Sequence, residues 1–262
     1  MSRLTWTSER DFTVGAVAYR VTNPHPDEGD APLGDALMIL KPRDVIERYE
    51  ALIATDQPRT VLELGIFAGG STALLSQISD AERLVALDFT SRPCEPLERF
   101  IATQGTADRV RTFYGIDQAN TAQLDEVMAA GFGELGGSID LIIDDASHLE
   151  AQTRASFNRL FPYLRPGGAY VIEDWSWPHQ GLPHPDRRYQ DAVPLSVLVC
   201  ELVLAAACRP NVIAQVIIDD QWALIRRGPA DLNPERFDIS SYFDALAAEM
   251  VDRMSRARTL SP

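Results

Sequence analysis

A chain of 262 residues, 45% of them apolar, is long enough to bury one sizeable core, and its modest Gly and Pro content excludes global disorder. A net charge of −14 sets it against phosphate backbones and anionic lipid surfaces, so neither nucleic-acid nor membrane partners are expected. Three cysteines (Cys94, Cys200, Cys208) without C-x-x-C spacing exclude a disulfide framework and a thiolate zinc site; the polar start MSRLTWTSER lacks a signal peptide's apolar stretch, and a cytoplasmic protein is expected.

In chain order, residues 11–22 alternate partly and are rich in β-branched side chains, which predicts a strand or hairpin. Val45, Ile46, Tyr49, Leu52 and Ile53 recur at helical spacing over 43–55. A strand–helix alternation follows. Apolar runs at 60–65, 83–89, 109–115, 139–146 and 169–175 predict strands; segments 70–79, 94–105, 120–132 and 150–164 predict helices, with the first beginning near Ser71 and the second stopped by Gly105. RPGG (165–168) is expected to be the turn before the strand at 169. Val193–Cys208 is too short to span a bilayer and contains Glu201, so it is expected to be a core helix. The runs at 211–219 and 221–227 lie at hairpin distance, and a further helix is expected around 240–256.

Strands alternating with helices predict an α/β fold with a mostly parallel sheet, helices on both faces, and right-handed crossovers. The final hairpin adds an antiparallel end, for seven strands in all. One domain over 1–262 is expected: a strand and helix extension (1–55), a core (56–228) and a helical tail (229–262).

Ligand chemistry gathers at the strand ends. ELGIFAGGST (63–72) follows a strand and opens a helix. Gly65, Gly69 and Gly70 allow close backbone approach, while Ser71 and Thr72 begin a helix whose N–H groups can hold a carboxylate, such as that of S-adenosylmethionine. The spacing is not the dinucleotide G-x-G-x-x-G. Asp88 ends the next strand, where an acid can accept from both ribose hydroxyls or simply cap the strand. Asp117 and Gln118 follow the third strand, at the place of adenine contacts, where Asp117 could equally be a turn residue. The fourth strand ends in Asp144, Asp145 and, beyond them, His148; the fifth ends in Glu173 and Asp174. Carboxylates at neighbouring strand ends repel one another unless protonated or bridged, and oxygen ligands favour a hard ion such as Mg²⁺. His148 is the natural base beside such an ion, with Asp144 as its rival. His25, His179 and His184 stand in Pro-rich loops and are expected to be exposed. Trp175 and Trp177 open a loop that serves either as a platform for the acceptor or as packing against the 193–208 helix.

Together, ELGIFAGGST, DDASH and VIEDW after RPGG resemble the metal-dependent sugar O-methyltransferases of macrolide biosynthesis, the mycinamicin and macrocin type; they are also similar to the cephalosporin hydroxylase family. The resemblance covers residues 60–227; its specific part is the acid and histidine set, whereas the glycine turn is generic. It implies a Rossmann-like class I methyltransferase fold. It implies Asp145, Glu173 and Asp174 as Mg²⁺ ligands, His148 as base, and Glu63, Gly65, Ser71, Asp88 and Asp117 around S-adenosylmethionine, with Gly69, Thr72, Gln118 and Asp144 assigned to the same cofactor. The implied reaction is Mg²⁺-dependent O-methylation of a diol-bearing small molecule, a sugar or glycosylated natural product, by a homo-oligomer lacking the long N-terminal auxiliary domain of larger members. The alternatives are a catechol-type O-methyltransferase, a nucleotide-dependent oxidoreductase, disfavoured by the glycine spacing and terminal hairpin, and a cofactor-binding scaffold.

Overall fold

The computed structural model describes residues 2–22, 34–180 and 187–242. His25, His184 and all but the first turn of the expected 240–256 helix lie outside them. In chain order the elements are β1 (Leu4–Trp6), β2 (Asp11–Val14), β3 (Val17–Val21), β4 (Leu37–Ile39), α1 (Arg43–Asp56), β5 (Thr60–Leu64), α2 (Gly70–Ile78), β6 (Arg83–Asp88), α3 (Glu95–Gln104), β7 (Val110–Tyr114), α4 (Thr121–Phe132), β8 (Ile139–Asp144), α5 (Glu150–Leu160), β9 (Leu164–Glu173), α6 (Arg187–Gln190), α7 (Ser196–Cys208), β10 (Ile213–Ile218) and β11 (Trp222–Arg227). The main sheet has seven strands in the order β10-β11-β9-β8-β5-β6-β7, mostly parallel and ending in an antiparallel hairpin, as expected. Backbone contacts divide the chain into two compact units, Met1–Asp117 with Asp125–Ala146, and Gln118–Leu124 with Ser147–Pro262.

In the first unit, β8, β5, β6 and β7 pair in parallel. Every residue of β5 is buried, which is why TVLEL reads as an uninterrupted apolar run broken by one acid. Side chains such as Leu62 and Leu64, both fully buried, contribute roughly 1.5–3 kcal/mol each. A second sheet of four strands, β1-β2-β3-β4, lies in the same unit. Phe12 stacks on Tyr19 at 4.9 Å between centroids, and the Tyr19 hydroxyl donates to Gln77 of α2 at 2.7 Å.

In the second unit, β9, β11 and β10 form an antiparallel ribbon. The hairpin turn is Asp219–Asp220–Gln221, where the Asp219 carboxylate accepts from the N–H groups of Gln221 and Trp222 at 2.8 and 3.0 Å. The structure corrects one expectation. RPGG is not a turn: β9 already runs extended from Leu164, after a 3₁₀ turn at Phe161–Tyr163 has ended the helix. Pairing with β11 begins only at Ala169, so Pro166, which has no N–H to donate, costs nothing on that side. α7 packs Leu198, Val199, Leu202 and Ala205 inward, and its buried Glu201 pairs with Arg154 at 2.6 Å. No helix among the described residues is long and apolar enough to cross a membrane.

Candidate active site

The first unit carries the glycine turn. Gly65 leaves β5 at φ 97°, and a Cβ built on it would lie 2.1 Å from the backbone oxygen of Asp145. The Asp145 N–H in turn donates to Leu64 O at 2.9 Å. Only a residue without a side chain lets the β8 end lie this close to the turn. The opening of α2 is equally tight, because a Cβ on Gly70 would lie 1.9 Å from Met38 O. Gly69 is the left-handed N-cap of α2. The pocket at this turn is lined by residues 38–41, by Gly65–Ala68 with Gly70 and Ser71, and by Asp145.

Asp88, at the end of β6, accepts the N–H groups of Ile66 and Phe67 through one oxygen, both at 2.9 Å, and that of Thr90 through the other at 2.7 Å. It therefore fixes the shape of the glycine turn. Half-buried Asp117 follows the β7 end, whose Gly115 and Ile116 N–H groups donate to Thr90 O and Asp88 O. Asp144, almost fully buried, ends β8.

Glu63 is fully buried beneath the turn and accepts a hydrogen bond from Thr72 Oγ1 at 2.5 Å. Burial pushes its carboxyl up to about 7; hydrogen bonds from Ser71 and Thr72 and the Lys41 charge oppose this, while Asp145 adds to it. The folded protein thus holds this proton to higher pH than the unfolded chain, which releases it near 4.5. The stability that Glu63 contributes is full below about pH 4.5 and is lost as pH rises towards 7. Glu63→Gln should flatten this slope. Relative to the variant, the wild-type protein should lose about 3 kcal/mol of unfolding free energy between pH 4.5 and 8 in urea titrations.

Lys41, just after β4, was not anticipated. Its side chain is 7% exposed, and Nζ donates to Asp145 Oδ2 at 2.5 Å across 104 residues of sequence. The ammonium also lies 5.8 Å from the Tyr49 ring centroid. A lone Lys in MILKP carries no local signal, because its partner is set by the meeting of β4 with the glycine turn.

The second unit carries the other residues. His148 and Asp174 both stand at φ 53°, in the left-handed region that such residues adopt at a cost. The imidazole Nε2 is 4.0 Å from Asp174 Oδ2, and the His148 side chain is 11% exposed. The Trp177 ring packs on His148 at 4.6 Å between centroids and meets Tyr189 edge-on at 6.4 Å. Tyr189 donates to Ser147 O at 2.8 Å. Trp175 spends its indole N–H on Asp219 O at 2.8 Å, and Ser176 donates to Asp220 O, so the segment after β9 is pinned to the hairpin turn. Glu173 is buried at the β9 end. Gln118 is buried as well: it accepts from Ser147 N–H at 2.9 Å and donates to Ser156 at 3.1 Å, bracing the start of the His148 loop. His179 is exposed, as expected, and contacts Ser196.

The family described as "Methyltransferase domain" matches residues 62–175, from β5 through the residue after Asp174. This segment is thus similar to that family. Within it fall the glycine turn, Asp88, Asp145, His148 and Asp174. The mycinamicin VI 2''-O-methyltransferase of Micromonospora griseorubida is 46% identical over 136 residues, 48% of this chain and 30% of that protein. The demethylmacrocin O-methyltransferase of Streptomyces fradiae is 34% identical over 131 residues, 46% of this chain and 29% of that one. The match thus spans less than a third of either relative. Among solved structures, the MycE methyltransferase of the mycinamycin biosynthetic pathway, in complex with Mg, SAH and mycinamycin VI, superposes with a TM-score of 0.51 at 26% identity, over 70% of this chain and 49% of that one. The O-methyltransferase TomG of Streptomyces achromogenes has the same fold, with a TM-score of 0.52 at 17% identity over 74% of this chain and 84% of that one.

Proposed function

We propose that this protein is an S-adenosylmethionine- and Mg²⁺-dependent O-methyltransferase that acts on a hydroxyl of a vicinal diol in a sugar or glycosylated natural product. The observation that carries this reading is His148 set beside Asp174, both in left-handed backbone, within a segment matched by the methyltransferase family. Strain of this kind is retained where side-chain placement matters.

The residues fit both ligands. The turn at Gly65 and Gly70 leaves no room for Cβ atoms and presents the N-terminus of α2 to a pocket, as a cofactor carboxylate requires. Asp145, Glu173 and Asp174 offer carboxylate oxygens alone, the donor set of a hard divalent ion. Those acids would hold Mg²⁺; the turn, with Asp88 shaping it, would hold S-adenosylmethionine. When bound, the ion lowers the pKa of an acceptor hydroxyl, and the cofactor supplies an electrophilic methyl group. With both groups held, His148 would take the hydroxyl proton, and the oxygen would gain the methyl group as the methyl–sulfur bond breaks and the neutral thioether S-adenosylhomocysteine leaves. Trp177 holds the imidazole in place from one side.

The test is a panel of macrolide sugars, free sugars and catechols incubated with labelled cofactor. Label should pass to sugar diols, EDTA should abolish transfer, and Mg²⁺ should restore it. Full turnover in EDTA would remove the metal from the reading, and transfer to catechols alone would move the acceptor to the aromatic class.

A further inference from the structure

Lys41 stands outside the residue set that the reaction requires, yet it is one of the most deeply buried cations among the described residues. Its ammonium meets Asp145 Oδ2 at 2.5 Å, with side-chain exposures of 7% and 22%. Tyr49 lies beside it at 5.8 Å, and its charge also reaches Glu63. Such a position is costly for an ammonium unless a carboxylate repays the lost hydration. The surroundings explain why it stays. β4 is held against the α2 opening, where Met38 O fills the space a Cβ on Gly70 would need, and Lys41 follows β4 by two residues. Pro42 is then the N-cap of α1. The lysine is therefore tethered at both ends of a short segment and meets the carboxylate of Asp145, whose backbone oxygen lies against Gly65 of the glycine turn.

We propose that Lys41 is a resident counter-ion for Asp145, whose ammonium must leave that carboxylate when the divalent ion binds, so that Lys41 sets the affinity of the metal site. This rests on the reading of Asp145 as a metal ligand. A tethered ammonium competes with the ion for a carboxylate oxygen and repels it at short range. At an effective dielectric near 20, charges about 4 Å apart interact strongly enough to change affinity by roughly tenfold or more. The same lysine holds the Asp145 carboxylate in place and neutralises its charge when no ion is bound.

The experiment measures Mn²⁺ binding by electron paramagnetic resonance, without cofactor or acceptor, for wild type, Lys41→Met and Lys41→Arg. Lys41→Met should bind Mn²⁺ about tenfold more tightly or better, and Lys41→Arg should stay near wild type because it keeps the cation. Equal or weaker binding by a folded Lys41→Met overturns the proposal, since it would make the lysine a mere brace. The wild-type protein supplies a readout that needs no variant: acetylation of Lys41, followed by mass spectrometry, should rise when Mg²⁺ is added. Labelling unchanged by saturating Mg²⁺ shows that the ammonium is not displaced and likewise overturns it. If no form binds Mn²⁺ at all, the metal reading of Asp145 falls and takes this proposal with it; if wild type binds and Lys41→Met gains nothing, only this proposal fails.

Discussion

Gly65→Ala should destabilise the protein by about 3 kcal/mol or more and abolish detectable binding of S-adenosylhomocysteine in calorimetry. Two costs combine. The backbone there has φ 97°, which an L side chain rarely adopts, and the new Cβ would meet the Asp145 carbonyl at 2.1 Å, far inside contact distance. Neither neighbour can yield cheaply. Gly65 N–H is bonded to Leu87 O at 2.8 Å, and Asp145 N–H to Leu64 O at 2.9 Å, so each is held by the ladder beside it. Relief requires the β8 end to retreat, which carries Asp145 away from Lys41 and reshapes the turn that Asp88 holds. Gly133→Ala is the control: nothing lies within 4 Å of its Cβ position, and its stability should change by less than about 0.5 kcal/mol. A Gly65→Ala protein that melts with wild type and binds the cofactor product would show that the close approach is not required.

The strand–turn–helix units were legible because each couples a short apolar run to a punctuating residue. TVLEL ends at Gly65, and EPLERFIATQ ends at Gly105, which caps α3 at φ 64°. The placement of the acids at and just after the ends of β8 and β9 was legible for the same reason, because strand ends were readable. What escaped notice depends on contacts distant in sequence. β1 and β4 have three residues each, too few for a period to show, so a four-stranded sheet was read as a single strand or hairpin over 11–22. Lys41 acquires meaning only from Asp145, 104 residues away. Gln118 was expected near adenine by its position after β7; that its carboxamide joins Ser147 and Ser156 is a contact which no spacing rule reveals. The two tryptophans separate by the same kind of contact, with Trp175 tied to Asp219 and Trp177 packed on His148.

His148→Asn should lower kcat by about 10²–10⁴-fold while leaving affinity for S-adenosylhomocysteine unchanged. Asparagine is the informative replacement. His148 stands at φ 53°, where alanine would add a backbone cost of roughly 1 kcal/mol, whereas asparagine visits that region readily. A loss in His148→Asn is then a loss of the proton acceptor and not of the loop. The geometry supports the role. The ring is held from one side by Trp177 at 4.6 Å, and its Nε2 points towards Asp174 at 4.0 Å, a separation too long for a strong hydrogen bond but close enough to stabilise the imidazolium that forms when a proton is taken. The loop beneath it is braced twice, by Gln118 on Ser147 N–H and by Tyr189 on Ser147 O, so the imidazole is positioned before the acceptor arrives. The pH profile separates chemistry from packing: the acid limb of kcat produced by protonating an imidazole base should disappear in His148→Asn, while unfolding curves of the two proteins stay parallel. Asp144, the rival base, is 2% exposed at the end of β8, so an acceptor hydroxyl reaches it less readily. Should His148→Asn turn over near the wild-type rate with its acid limb intact, the proton goes elsewhere, and Asp144→Asn becomes the variant to measure.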